Sequence, residues 1–482
     1  MYSAYIIKSF LLKNNLDNNT IDILNDQLND EYLLILTTLL NKNNIKLSQE
    51  ILAILINVSY TEKGELLFGQ EEKILFNLST FLGNNKNDIY LLSLGITLIK
   101  NITYKNSFVK QTFQKFNIVS FFNEIYEKFV FDKKFMFNLI TCLGHFINMR
   151  FGDNNILYSI KIIKSQLNLN LTVEELHKYI YILYNLSLYN NPRVFENMIH
   201  YEIQKDLMSI YPFEKDDFEN KNKAENTEEE KIIQLKLLIL KILTKILSSE
   251  NNSITKSVID SGISKFLNKV LQSTDIKIIK NAFFCITNIC SGPLSQLLNL
   301  YKNDTIYEAF KVAEYIYEAL STNNKFVDSL FNDHYIKAFR EINNSIALII
   351  INSLYDQIMP FVRNHNFAII KILIKGIKIF SENNMNKNNE LINFILKAFS
   401  KLNSFIKNED EEEIMMHDNN YIKFSEFLEQ NGFKQILENL LTNADENIAD
   451  AAEQIYEEMF NNNEINEDIN INDIIDDSED NK

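Results

Sequence analysis

Apolar residues recur at three- and four-residue spacing along almost the whole of this 482-residue chain. Stretches 31–40, 49–58, 72–81, 91–102 and 231–247 all show it, and it is the period of one face of an α-helix. The segments between them, such as 41–44, 83–88 and 272–275, are short and mostly polar. No stretch alternates with period two for long enough to make a strand. Glycine and proline number only 10 and 4, whereas an all-β chain needs many tight turns built from them. The expected fold class is all-α.

A second, longer period overlies the first. Several helices close on an apolar run, then Asn, then an apolar residue, as in Leu55-Ile56-Asn57-Val58-Ser59 and Leu183-Tyr184-Asn185-Leu186-Ser187. Asn57, Asn101, Asn148, Asn185 and Asn288 stand at intervals of 44, 47, 37 and 103 residues. The long interval spans a charged insertion and one unit whose helix carries Lys245 where Asn would stand. Units near forty residues have the length of armadillo or HEAT repeats. Two or three short helices cannot bury their apolar faces alone, so such units stack into one continuous core. The expectation is an armadillo/HEAT-type right-handed superhelical solenoid of about eight to ten repeats. Asn at one position of each groove-lining helix would form a ladder, its carboxamide donating to and accepting from the backbone of an extended peptide. The plainer alternative is that Asn merely ends helices in an Asn-rich sequence. Asn77 matches the pattern off this register, which shows that chance matches occur.

Composition divides the chain further. Residues 1–30 form an N-terminal segment whose only basic residues are Lys8 and Lys13. Residues 31–460 hold the repeats, interrupted at 212–230 by a charged insertion expected to be exposed and disordered, and by polar stretches at 383–389 and 408–420. Residues 461–482 form an acidic tail with too little apolar surface to pack.

The net charge of −16 disfavours nucleic acid and anionic membranes as partners and permits basic ones. The N-terminus has no charged stretch and cleavage site of a signal peptide, and no apolar run approaches the ~20 residues that span a bilayer, so the expected location is cytoplasm and nucleus. Cys142, Cys285 and Cys290 are read as buried apolar residues rather than a disulfide or zinc set. The six His residues have no metal-ligand spacing, and no phosphate-binding glycine loop occurs. Neither an enzyme nor a metal or other cofactor is expected.

The stretch from Val258 to Leu271, followed by Asn281 to Gly292, resembles a unit of the importin-alpha family. There a helix opened by Gly precedes a groove helix ending Trp-x-x-x-Asn-x-x-x-Gly. Phe284 takes the Trp place, Asn288 the Asn place and Gly292 the Gly place. Residues 429–436 and 448–460 resemble the closing repeat of that family. The resemblance implies a nuclear-import adaptor binding basic localisation peptides of cargo proteins, with importin-beta and the export receptor of the family as further partners. Its implied peptide-binding residues are Asn57, Asn101, Asn148, Asn185 and Asn288, with Tyr181 and Phe284 as aromatic faces and Asp153 as an acidic group. The departures are the absence of any Trp, Lys241 and Lys245 at groove positions, and the missing basic arm that binds importin-beta. The alternative is a divergent armadillo scaffold for cytoskeletal or regulatory proteins.

Overall fold

The computed structural model describes residues 30–40, 44–147, 152–189, 191–212, 226–322, 329–363, 367–382, 385–407, 413–415 and 421–461. Most of these residues lie in helices, and the helices recur as a first, a second and a third in each unit. Six third helices are opened by a short polar side chain that accepts from the first free N–H groups: Asn44, Asp88, Asp132, Thr172, Asp275 and Asp445. Thr172 does so in a full capping box with Glu175.

The chain divides into two units, with the boundary between Ile242 and Leu243. The N-terminal unit begins with α1 (Asp30–Leu39) and α2 (Ile45–Ser59). Then follow α3 (Glu62–Phe68), α4 (Glu72–Asn84) and α5 (Ile89–Thr103), and α6 (Ser107–Lys115), α7 (Ile118–Phe129) and α8 (Lys133–Phe146). The pair α9 (Asp153–Leu167) and α10 (Val173–Ser187) precedes α11 (Pro192–His200), α12 (Ile203–Ser209) and α13 (Asn226–Leu247). Third helix packs on third helix, α2 on α5, α5 on α8 and α8 on α10, and second helices pack likewise, α1 on α4 and α7 on α9.

The C-terminal unit continues from residue 243 with α14 (Asn252–Asp260), α15 (Ile263–Val270) and α16 (Ile276–Cys290). Next come α17 (Leu294–Lys302), α18 (Thr305–Thr322) and α19 (Ser329–Asn352), and then α20 (Tyr355–Arg363), α21 (Ala368–Glu382) and α22 (Met385–Lys407). It closes with α23 (Phe424–Gln430), α24 (Phe433–Leu440) and α25 (Glu446–Tyr456). The third helices α16, α19, α22 and α25 pack in sequence. In α16 the side chains of Ile278, Phe283, Ile286 and Ile289 are buried, each stabilising the stack by roughly 1.5–3 kcal/mol.

The corner between first and second helix has its own signature. Asn117, Glu202, Gly262, Asp304, Phe367 and Gly432 all have positive φ, and each immediately precedes a second helix. Only Gly262 and Gly432 meet that conformation without a Cβ penalty.

Two boundaries differ from the sequence reading. The insertion at 212–230 does not extend through its acidic end, because Glu228, Glu229 and Glu230 lie in α13, where carboxylates near the N-terminus favour the helix dipole. The polar stretch 383–389 likewise breaks the chain less than expected, since α22 begins at Met385. One short strand pair also escaped the reading: Glu413–Met415 (β1) pairs antiparallel with Tyr421–Lys423 (β2), with Ile414 opposite Ile422. The N-terminal segment, residues 213–225 and the tail from 462 lie outside the described residues.

Candidate functional site

The third helices share one repeated position. Thirteen residues after the capping Asn44, Asp88, Thr172 and Asp275 stand Asn57, Asn101, Asn185 and Asn288. All four asparagines are half-buried. The same count from Asp132 reaches His145, not Asn148. Asn148 itself lies outside the described residues. The hydrogen bonds agree with that register. Asn101 Nδ2 donates to Ser59 Oγ at 2.9 Å, and His145 Nδ1 meets Thr103 Oγ1, one unit on, at 3.1 Å. The strip of the N-terminal unit therefore reads Asn57, Asn101, His145, Asn185.

Two of these amides tie adjacent third helices together. Asn101 is one, and Asn288, whose Nδ2 donates to Thr244 O at 2.9 Å, is the other. Each keeps a second N–H and its carbonyl oxygen. Asn57 and Asn185 make no side-chain hydrogen bond among the described residues, which leaves their donor and acceptor capacity for a ligand. In the C-terminal unit Asn352 repeats the device, donating to Cys290 O at 2.8 Å. The sequence reading missed it because Ser353, not an apolar residue, follows. Asn77, off register, lies on a second helix and donates to Thr38 Oγ1 at 3.2 Å.

The other candidates fall into different surroundings. Tyr181 is 47% exposed on α10, four residues before Asn185. Phe284 is half-buried, and Lys280 lies over its ring at 5.9 Å to the centroid. Lys241, exposed on α13, similarly covers Tyr184 at 5.7 Å. Asp153 pairs with Arg193 at 2.6 Å and accepts from Asn191 Nδ2 at 3.2 Å, so its charge is already met. Three further exposed side chains were not singled out by the sequence. Three residues after the strip positions stand Tyr60, Tyr104 and Leu188, each more than half exposed.

The electrostatics of this strip are basic. His145 is held neutral, its pKa pushed down to about 4 by burial first and then by Lys110, Lys178 and Lys100. Its ring meets Tyr104 edge-on at 5.4 Å. His177, on α10, is also lowered, by burial and by Lys231. No group of side chains that could hold a metal ion occurs among the described residues. No helix among them is long and apolar enough to cross a membrane. All three cysteines are buried, and burial pushes the Cys285 thiol up to about 12.

Comparison with solved structures establishes the architecture. An engineered protein from the Northeast Structural Genomics Consortium is 14% identical, with a TM-score of 0.61 over 95% of this chain and 94% of that one. A structure from work on a phosphorylation switch controlling the interaction between cadherin and beta-catenin is 12% identical, with a TM-score of 0.59 over 95% of this chain and 83% of that one. The fold is an armadillo-type helical repeat. A designed armadillo repeat protein, 16% identical, matches 62% of this chain and 98% of its own at a TM-score of 0.41. No family model matches the chain, and no curated protein matches it.

Proposed function

We propose that the chain is a protein-interaction scaffold whose third helices receive an extended segment of a partner protein. The observation that carries this reading is the strip itself, in which Asn57, Asn101, His145 and Asn185 recur at one helical position, half-exposed. An amide offers one donor and one acceptor direction, which is what a peptide backbone requires. Adjacent packed helices stand about 8–10 Å apart and an extended chain advances about 3.3 Å per residue, so one strip position would serve about three residues of a ligand.

The narrower reading is a nuclear-import adaptor for basic localisation peptides, working with importin-beta and the export receptor between cytoplasm and nucleus. It draws support from the strip asparagines and from the likeness of residues 258–292 to the importin-alpha unit. Charge weighs against it. Lys280 already covers Phe284, Lys241 covers Tyr184, and Arg193 neutralises Asp153. A basic peptide would meet repulsion where that family supplies attraction. The scaffold reading needs no such attraction.

The test is selection of displayed random peptides on the folded chain, followed by Tyr181→Arg with Asn185→Arg. Peptides that bind the strip should lose binding in this variant and keep it in Lys86→Glu, which alters a second-helix ion pair. Selected peptides indifferent to the first variant and sensitive to the second would overturn the assignment of the site.

A further inference from the structure

Resting on the scaffold reading, we propose that the third-helix strip of the N-terminal unit binds an acidic, extended polypeptide segment of a partner protein. The first ground is the distribution of carboxylates. Helices α5 and α8, side by side in the row, contain no Asp or Glu, whereas Lys100, His145, Lys133 and Lys134 lie on them. Lys178 on α10, Lys231 on α13 and Lys110 on α6 complete a basic group whose charges reach His145 and His177.

The second ground is how the two faces of this unit treat their lysines. Several cations on first and second helices and their corners are matched, Lys86 with Glu124, Lys115 with Glu72 at 3.8 Å, Lys161 with Glu127 at 2.8 Å, and Lys164 with Asp206 at 2.6 Å, while Lys73 on α4 and Lys110 on α6 have no ion pair among the described residues. The cations of the strip have no such partner. Lys110, Lys178 and Lys231 form no ion pair among the described residues. Lys100 Nζ donates to a neutral amide, Asn138 Oδ1, at 3.0 Å. Glu174 and Glu175 stand on α10 and Glu228 to Glu230 on α13, yet none pairs with these lysines among the described residues, so the gathered cations repel and an incoming anionic chain relieves that repulsion.

The third ground selects the class of anion. The strip alternates these lysines with amides and exposed aromatics, Asn101, Tyr104, Tyr181 and Asn185, which suit a peptide backbone and its side chains. No arginine stands on α5, α8 or α10, and arginine is the side chain whose planar fork fits phosphate. Lysine is a point charge that meets a carboxylate equally well. These features favour a carboxylate-rich polypeptide over a nucleic acid.

The full chain should be titrated, by fluorescence anisotropy, with four labelled probes of equal length. They are a peptide with Glu at about every third residue, matching the helix spacing, the same peptide with Gln for Glu, a Lys/Arg-rich peptide, and oligouridylate. The Glu peptide should bind most tightly and weaken with added salt. Lys178→Glu and Lys231→Glu should each weaken it several-fold and together at least about tenfold, and Lys86→Glu should leave it unchanged. Circular dichroism confirms that each variant is folded. Tighter binding of the Lys/Arg peptide or of the Gln peptide overturns the acidic specificity but leaves the scaffold reading standing. Tighter binding of oligouridylate overturns the polypeptide assignment. Binding of no peptide at all defeats both. The residues 462–482 are themselves acidic, so the titration is repeated on a chain ending at 461. Glu-peptide binding that appears only in that shorter chain would make the chain's own tail the occupant and overturn the partner assignment.

Discussion

Replacing Gly376 by alanine should destabilise the C-terminal unit, although alanine is the better helix former. Helices α19 and α21 pack against each other at this position. A Cβ on Gly376 would stand 2.0 Å from Asn343 Oδ1, 2.5 Å from its Cγ and 2.9 Å from its Nδ2. Asn343 cannot swing aside freely, because it is fully buried and its Nδ2 donates to Phe339 O at 2.8 Å. Helix propensity favours alanine by about 0.8–1 kcal/mol, while overpacking a filled core costs about 1–3 kcal/mol. The expected net loss is about 1 kcal/mol and no more than about 2 kcal/mol, read as a lower urea midpoint at unchanged m-value. Asn343→Ala in the same chain removes the obstructing carboxamide, whose Oδ1 has no hydrogen-bond partner. The double variant should therefore recover at least about 1 kcal/mol relative to the sum of the single changes. Stabilisation by Gly376→Ala, or strict additivity of the two changes, would refute the close approach.

Other expectations follow from the same geometry. His145 is neutral in the fold with its pKa near 4, against 6.5 for the free side chain. The unfolded chain therefore takes up the proton first as pH falls, and stability held above pH 6.5 is lost toward pH 4. The full linkage would be about 3 kcal/mol, and partial solvent exposure reduces it to about 2 kcal/mol. His145→Gln should accordingly show a smaller fall in stability between pH 7 and pH 5 than the parent chain, and an equal fall would contradict the burial of that ring. Gly262→Ala and Gly432→Ala should each cost about 1–2 kcal/mol in urea titrations, because φ is +94° and +79° there and an added Cβ meets no neighbour that could compensate. Asn352→Ala should cost about 1 kcal/mol by removing the hydrogen bond to Cys290 O, measurable by the same method. Cys142, Cys285 and Cys290 should react with a thiol reagent only after unfolding, since all three are buried.

The architecture was legible because its cause is written in the chain at short range. A helix row that packs on both sides needs apolar residues nearly all round, and the α16 segment shows them. The strip was legible in part. Asn57, Asn101, Asn185 and Asn288 share one position after the cap of their helix, while at α8 that position is held by His145 and Asn148 lies outside the described residues. The caps carry the register directly: Asn44, Asp88 and Asp132 are each 44 residues apart. Capping residues are set by the backbone and so keep the register when the strip residue changes type.

The corners were less legible. Glycine announced those at 262 and 432, whereas Asn117, Glu202, Asp304 and Phe367 take the same conformation with side chains that signal nothing of it. Phe367 is held there by packing, its ring 5.1 Å from that of Phe427. The charge of the strip is not legible in the total. The sum of −16 is dominated by acidic stretches such as 409–413 and 464–480, while α5 and α8 carry no carboxylate at all. A net charge describes a chain, whereas a ligand meets one face of it.

The most direct test maps where a bound peptide lies. The Glu-rich probe, carrying a photoreactive group, should be cross-linked to the full chain and the adducts located by mass spectrometry. Adducts concentrated on residues 97–104, 141–145 and 177–188 are predicted. Adducts concentrated on the first and second helices, with the third helices unmarked, would contradict the account.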